Sequence, residues 1–233
     1  MLGKRKLEGE RIMIAFDTET TGLDAENDEI VSASIVREDN GIIATEWLLK
    51  TSIESTDEAL SKHGITFEKT QKEGEDYVES IEDIASRLLD ADYVVTANGV
   101  FDMTMLQGSL DRFSDKEWDM SSVKMVDIMV IDKFIDKYRK GPRKLENLRD
   151  RYGVSFDGDL HDATSDSIIT FFIFIKQLRE LKATGYSLQD TPSLCELEYG
   201  KQKDDLINYF NKIGRKATVS LGYPVSTGSV KIG

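Results

Sequence analysis

Two carboxylates, Asp17 and Glu19, follow a short apolar segment near the start of the chain. The segment, residues 12–16, reads IMIAF, which is typical of a buried strand. Side chains two residues apart in an extended chain point to the same side, so these two carboxylates converge. Two nearby anions repel each other unless a cation lies between them, and Mg²⁺ typically takes one or two carboxylates together with water and substrate phosphates. Most Asp-x-Glu pairs are surface acids, so this pair alone does not establish a metal site.

Two further aspartates lie on predicted helix faces that are otherwise apolar. Asp102 opens a helix and shares a face with Met105 and Leu106. Asp166 shares a face with Ile169 on the most apolar helix of the chain. A carboxylate directed into a core is costly unless it is paired or binds a metal, and no lysine or arginine lies within one turn of Asp166. The pattern favours a metal ligand at Asp166, whereas Asp102 is also explained as a favourable acid in a first helical turn.

One of the two histidines in the chain, His161, precedes the inward-facing Asp166 by five residues. Histidine is the side chain best suited to accept a proton near neutral pH. A lone histidine is usually incidental, but beside carboxylates that bind metal ions it becomes a candidate general base.

These side chains need a scaffold that brings distant segments together. The Asn-Gly pair at residues 40–41 predicts a two-residue hairpin turn between the second and third strands. A β-meander followed by alternating helices and strands predicts a mixed sheet covered by helices. The predicted strands cover residues 12–16, 30–36, 42–49, 93–97 and 123–126, and the predicted helices cover residues 56–62, 76–89, 101–110, 128–138, 143–152 and 163–181.

The chain divides into three predicted parts. Residues 1–10 are polar and are expected to form a flexible N-terminus. Residues 11–183 contain the sheet and helices and form one domain. Residues 184–233 form a C-terminal extension of unknown role, in which we predict a helix at 194–213 and a disordered end at 226–233.

The composition indicates a globular, cytoplasmic protein with one basic segment. A hydrophobic fraction of 39% argues against wholesale disorder, and the single cysteine, Cys195, excludes a disulfide framework and fits a reducing compartment. No apolar run predicts a membrane span, and the basic start of the chain lacks the apolar stretch of a secretory signal. The net charge is −13, yet residues 133–151 hold 8 basic and 3 acidic residues, a net +5. Such a segment can bind a phosphate backbone, although a solvated basic helix has the same pattern.

Three segments resemble the exonuclease motifs of the DEDDh 3′–5′ exonucleases in order, spacing and secondary-structure context. They are residues 16–22 (FDTETTG), 98–102 (NGVFD) and 161–166 (HDATSD). The family includes the proofreading epsilon subunit of bacterial DNA polymerase, ribonuclease T and stand-alone bacterial or phage exonucleases, and the similarity covers residues 11–183. It implies a ribonuclease H-like α/β fold with a mixed, roughly five-stranded sheet flanked by helices. One departure is Ala97, where many relatives have histidine.

The resemblance also implies roles for individual residues. Two divalent metal ions, Mg²⁺ or Mn²⁺, would be bound by four carboxylates whose charges they neutralise: Asp17, Glu19, Asp102 and Asp166. His161 would be the general base. Four positions match residues that hold the terminal nucleotide in relatives: Thr20, Leu23, His63 and Phe101. The alternatives are a turn residue for Thr20, simple packing for Leu23 and a core aromatic for Phe101. The basic segment adds two candidate substrate contacts, Arg139 and Lys140.

The implied function is stepwise hydrolysis of single-stranded DNA or RNA from the 3′ end to nucleoside 5′-monophosphates, in proofreading, repair or nucleic-acid turnover. An RNA-trimming or oligoribonuclease-like enzyme is the alternative within the same class. A non-catalytic adaptor on an exonuclease scaffold is the alternative of another class, and the intact set of carboxylates and histidine counts against it. No polymerase domain fits in 233 residues, so we expect any polymerase partner to act in trans. The preference between DNA and RNA and the oligomeric state stay open.

Overall fold

A central strand, β1 (Met13–Thr20), carries the first acidic pair, and four more strands extend the sheet on both sides of it. They are β2 (Ile30–Glu38), β3 (Ile42–Leu48), β4 (Tyr93–Thr96) and β5 (Met125–Asp127). The strand order is β3-β2-β1-β4-β5. The β1–β2 and β2–β3 pairs are antiparallel, whereas the β1–β4 and β4–β5 pairs are parallel. The predicted mixed, five-stranded sheet is confirmed.

This computed structural model describes residues 11–155 and 162–232. The predicted flexible N-terminus, residues 1–10, and the candidate base His161 lie outside the described residues. Among the helices in the two described ranges, none is both long enough and apolar enough to cross a membrane.

Helices connect and cover the strands. Their bounds are α1 (Asp57–His63), α2 (Phe67–Glu73), α3 (Tyr77–Asp90), α4 (Gly99–Phe113), α5 (Ile128–Ile135), α6 (Leu145–Tyr152), α7 (Ala163–Ala183) and α8 (Thr191–Ile213). Helix α7 lies against β1 and β2, with Ile169, Phe171 and Phe174 buried in the core. Helix α4 contacts the same two strands and β5. Residues far apart in sequence therefore meet over β1.

Two local predictions differ from the structure. The β2–β3 turn contains three residues and not two, because Glu38 pairs with Ile42 across Asp39, Asn40 and Gly41. Asn40 and Gly41 both have positive φ, 54° and 145°. The prediction that these two residues form the turn is confirmed, and the predicted turn length of two residues is wrong. Helix α2 was not predicted, because it is short and has only one buried residue.

The C-terminal extension packs onto the sheet edge formed by β5. Helix α8 contacts α5 and β5, and Cys195 near its start is fully buried. After α8 the chain forms a hairpin of β6 (Ala217–Leu221) and β7 (Gly228–Ile232). The Tyr223 hydroxyl between these strands donates a hydrogen bond to the Met125 carbonyl over 3.0 Å. The disorder predicted from residue 226 onward is therefore wrong for β7, whose pairing partner β6 supplies the hydrogen bonds that a local pattern does not reveal.

Candidate active site

Strand β1 presents the two motif carboxylates, Asp17 and Glu19, near its carboxyl end. Both side chains are half-buried, while the intervening Thr18 is buried. Asp17 pairs across the antiparallel ladder with Ser34, and the ladder becomes irregular after Glu19. The alternation of an extended strand places both carboxylates on one side, as the sequence predicted.

Asp166 meets this pair from the first turn of α7. Asp162 caps that helix, because its carboxylate accepts a hydrogen bond from the Ser165 backbone N–H over 3.1 Å. One carboxylate oxygen from each of Asp17, Glu19 and Asp166 lies within 4.8 Å of the others. Three carboxylate oxygens at this separation fit a divalent metal ion, since hard cations prefer oxygen ligands.

Asp102 reaches the same strand from the first turn of α4, although it is not a member of the three-carboxylate group. Its Oδ1 accepts hydrogen bonds from the Thr18 backbone N–H over 3.1 Å and from the Thr18 hydroxyl over 2.6 Å. The start of α4 requires a glycine, because a Cβ on Gly99 would lie 2.0 Å from the Thr96 hydroxyl oxygen. Because residue 99 has no side chain, α4 begins close to β4, and the first turn of α4 places Asp102 against β1.

The carboxylates repel one another strongly in the metal-free protein. Burial and the neighbouring Asp102 and Asp166 raise the pKa of Asp17 well above its ordinary value. Burial, followed by the charge of Asp166, raises the pKa of Glu19 to about 7. Burial also raises the pKa of Asp102 to about 7, against the opposing effect of its hydrogen bonds from Thr18. A bound cation would remove this repulsion. The electrostatics of the carboxylates therefore favour a divalent metal ion, as their geometry does.

We expect Asp17→Asn to stabilise the metal-free protein. Since burial and neighbouring carboxylates raise the folded pKa of Asp17, this group destabilises the fold increasingly as pH rises above the unfolded value of about 4. The free energy of unfolding in chelator at pH 8 should therefore rise by roughly 1–3 kcal/mol in the variant, with a smaller gain at pH 5. Denaturant unfolding at both pH values measures this effect. The exposed Asp115→Asn is the control, and an equal gain in the control at pH 8 would contradict the prediction.

A pocket of about 350 Å³ lies beside the acidic group, and Glu19 forms part of its wall. It brings together all four residues predicted to hold a terminal nucleotide: Thr20, Leu23, His63 and Phe101. Leu23 is 73% exposed, which simple packing does not explain. Burial lowers the pKa of His63, so this imidazole is neutral at physiological pH. We call this cavity the terminal pocket.

The two substrate contacts predicted in the basic segment, Arg139 and Lys140, differ in their surroundings: Arg139 lies in a buried ion cluster and Lys140 is exposed. Asp132 is fully buried, and its carboxylate contacts three guanidinium groups and a phenol: Arg139 at 2.9 Å, Arg143 at 3.1 Å, Arg151 at 3.2 Å and Tyr152 at 3.0 Å. The three guanidinium groups more than balance the charge of the buried carboxylate, so Arg139 has a structural role as one member of this ion cluster. Lys140 is exposed. Neither residue lines the terminal pocket, and their contact with substrate stays a prediction.

The sequence reasoning missed two residues that position the site. Asp127, at the end of β5, is buried and accepts hydrogen bonds from the backbone N–H groups of Gly99 over 3.0 Å and Met129 over 2.8 Å. It thereby joins the starts of α4 and α5. Thr18 holds Asp102 as described above. An acid directly after an apolar strand could have identified Asp127, but β5 is only three residues long and gives a weak signal.

A ribonuclease H-like sheet with a cluster of carboxylates near the end of its central strand is the arrangement expected of a metal-dependent nuclease. The comparison with protein families agrees, because a model of the exonuclease family matches residues 14–174. The chain belongs to this family, and the resemblance to DEDDh-type members is confirmed.

Two curated relatives place this domain within much longer proteins. The chain is 26% identical over 203 residues to a PolC-type DNA polymerase III of Thermotoga maritima, covering 85% of this chain and 14% of that protein. It is 26% identical over 201 residues to the corresponding protein of Thermotoga petrophila, covering 84% of this chain and 13% of that protein. The chain therefore spans about a seventh of the length of these relatives.

Solved exonuclease structures share the fold. Exonuclease X in complex with 5′-overhanging duplex DNA superimposes with a TM-score of 0.60 at 18% identity, covering 79% of this chain and 99% of that one. Exonuclease I of E. coli in complex with a dT13 oligonucleotide superimposes with a TM-score of 0.61 at 16% identity, covering 87% of this chain and 44% of that one. At these identities the likeness concerns the fold alone.

Proposed function

We propose that this protein is a two-metal-ion 3′–5′ exonuclease that removes nucleoside 5′-monophosphates from the 3′ end of single-stranded DNA. The observation that carries the proposal is the convergence of Asp17, Glu19 and Asp166 beside a pocket lined by residues of the matching motifs. Membership of the exonuclease family supports the reaction class.

The carboxylates fit the charge and ligand requirements of divalent ions. Asp17, Glu19 and Asp166 would form the main ligand group, and Asp102 would contribute the fourth carboxylate from α4. Four carboxylates balance two divalent ions, Mg²⁺ or Mn²⁺. When bound, such ions polarise the scissile phosphate and lower the pKa of the attacking water.

The remaining residues position the substrate and move a proton. The terminal pocket would hold the 3′-terminal nucleotide, with the half-buried Phe101 and the exposed Leu23 offering apolar surfaces to a base. The Nδ1 atom of the neutral His63 accepts a hydrogen bond from the Ile65 backbone N–H over 3.0 Å, so its Nε2 carries the proton and can donate a hydrogen bond to the sugar without adding charge. His161, which the third motif supplies, would take the proton from the attacking water.

DNA is favoured over RNA as the substrate by the similar proteins. The structural neighbours were solved with an oligonucleotide dT13 or with 5′-overhanging duplex DNA, and the curated relatives are DNA polymerases. The relationship to a polymerase also favours proofreading as the biological role, with association with a DNA polymerase as the second candidate function. Oligoribonuclease-like trimming of short RNA is the alternative substrate class.

We expect a 5′-labelled single strand to be shortened one nucleotide at a time, and a 3′-phosphate to slow the reaction strongly. A pocket that encloses a free terminus has little room for an added dianion beside Glu19. Digestion of matched DNA and RNA oligonucleotides, with matched or mismatched duplex ends as further substrates, measures polarity and preference. Efficient cleavage of a circular single strand would identify an endonuclease and overturn the proposal.

A further inference from the structure

A second cavity continues from the terminal pocket toward the C-terminal extension. Its volume is about 840 Å³, more than twice the 350 Å³ of the terminal pocket, and Leu23 and Phe101 line both cavities. Its lining comes from residues 23–26 and the start of α4 in the family domain, and from α8 and the β6–β7 hairpin in the C-terminal extension. We call this cavity the extension groove. A chain leaving the terminal pocket past Leu23 and Phe101 enters it directly.

The hairpin presents a hydroxyl-bearing face to the extension groove. Thr218, Ser220 and Ser229 are exposed and line the groove, and Ser220 pairs with Ser229 across the hairpin. The alternate residues Val219 and Ile232 are buried against the rest of the protein. Period-two alternation thus separates packing residues from groove residues. Serine and threonine hydroxyls are common donors to phosphate oxygens and carry no sequence preference.

A third cavity, of about 230 Å³, adjoins the extension groove and contains three cationic side chains. The cationic side chains are Lys133, Lys203 and Arg143, of which Arg143 is paired with Asp132 over 3.1 Å, and the buried, hydrogen-bonded Asp127 also lines the cavity. Lys203, Tyr199 and Asn98 line both this cavity and the groove, so the two are continuous. Burial lowers the pKa of Lys133 and of Lys203. Converging cations in a partly desolvated recess attract an anion. We call it the basic pocket.

We propose that the C-terminal extension completes a track for the single strand upstream of its 3′-terminal nucleotide. The strand would run from the terminal pocket through the extension groove to the basic pocket, with its phosphates facing the hairpin hydroxyls and the lysines. Asp24 and Glu26 also line the groove, and repulsion from these carboxylates would favour a path in which the phosphates lie nearer the hydroxyls and lysines of the extension. Lys203 and the hairpin lie outside the matched residues 14–174, so the track is an addition to the family domain. This inference rests on the proposed function for the polarity of the strand.

The track predicts a length-dependent effect of charge removal. The double variant Lys133→Gln/Lys203→Gln should bind a 15-nucleotide single strand about 25-fold more weakly at 0.1 M salt, since two lost phosphate contacts reduce the slope of log affinity against log salt by about 1.4. Cleavage of a dinucleotide, which has one nucleotide upstream of the scissile phosphate and is expected to fall short of the basic pocket, should keep its kcat/KM within twofold. Fluorescence anisotropy in chelator measures binding without hydrolysis. The variant Lys133→Arg/Lys203→Arg should retain the slope because it retains both charges.

The matched control is Lys72→Gln/Lys176→Gln, which removes two exposed charges that do not line the groove or the basic pocket. If Lys133→Gln/Lys203→Gln binds the 15-mer with the affinity and salt slope of this control, the track is wrong, while hydrolysis by the wild-type protein would still support the exonuclease. A different outcome separates the two proposals. If the wild-type protein binds the 15-mer and the variant shows the expected change in salt slope, but the wild-type protein hydrolyses no substrate, the exonuclease proposal fails and the nucleic-acid track stands. Failure of the wild-type protein to bind the 15-mer overturns the track.

Discussion

Replacing Asp17 or Asp166 with asparagine is expected to lower the rate of hydrolysis by at least about 10³-fold. Each substitution removes one charge from a group whose three carboxylate oxygens lie within 4.8 Å of one another. Metal ions stabilise the transition-state charge by several kcal/mol, and each 1.36 kcal/mol is a factor of ten in rate. Single-turnover shortening of a 5′-labelled strand, with Mg²⁺ titrated from zero, measures the loss.

The same mechanism requires that excess chelator stops the wild-type enzyme and that added Mg²⁺ or Mn²⁺ restores it. Asp115→Asn, an exposed aspartate outside the acidic group, is the matched control and should retain wild-type activity. Circular dichroism of each variant separates loss of ligands from loss of fold, and we expect the folds to be intact because Asp17→Asn relieves repulsion. Undiminished cleavage in chelator would exclude a metal-dependent mechanism.

The second large effect is expected for His161→Gln. Loss of a general base typically lowers turnover by about 10²–10⁴-fold, and glutamine cannot accept the proton from water. KM and metal affinity should change little, because His161 is proposed to be neither a nucleotide contact nor a ligand. The wild-type rate should rise with pH through the histidine pKa, and the residual rate of the variant should lack that inflection.

The other histidine provides a matched control for this assignment. His63 lines the terminal pocket, so His63→Gln should raise KM more than it lowers kcat. Steady-state kinetics of the two variants across pH 5.5–8.5 distinguishes a base from a binding residue. Near-native kcat for His161→Gln at neutral pH would remove His161 from the mechanism and would weaken the analogy to DEDDh enzymes.

Much of the scaffold could be predicted from the sequence because the relevant patterns are local. The apolar run before Asp17 predicted β1, and the spacing of apolar residues predicted α7 within two residues at its end. Alternation along a strand and the 3.6-residue helical repeat depend only on neighbours in the chain, so they placed Asp17 and Glu19 on one side of a strand and Asp166 on the inward face of a helix. That these residues share one site was implied by the motif resemblance. The motif resemblance identified the residues that the structure gathers in the terminal pocket.

Tertiary contacts determine the structure of the basic segment, residues 133–151, and of the C-terminal extension, residues 184–233. The charge of residues 133–151 indicated a solvated or phosphate-binding face, but the fully buried Asp132 draws Arg139 and Arg143 into an internal ion cluster. The end of the chain had no local pattern of order, and it becomes β7 by pairing with β6. Burial of a charge and pairing of strands both depend on groups that are not adjacent in sequence, and the free energy of ordering a segment is recovered only when those distant partners are in place. For this reason composition and spacing identified the acidic chemistry of the protein, whereas the surface that surrounds it became visible only in the folded chain.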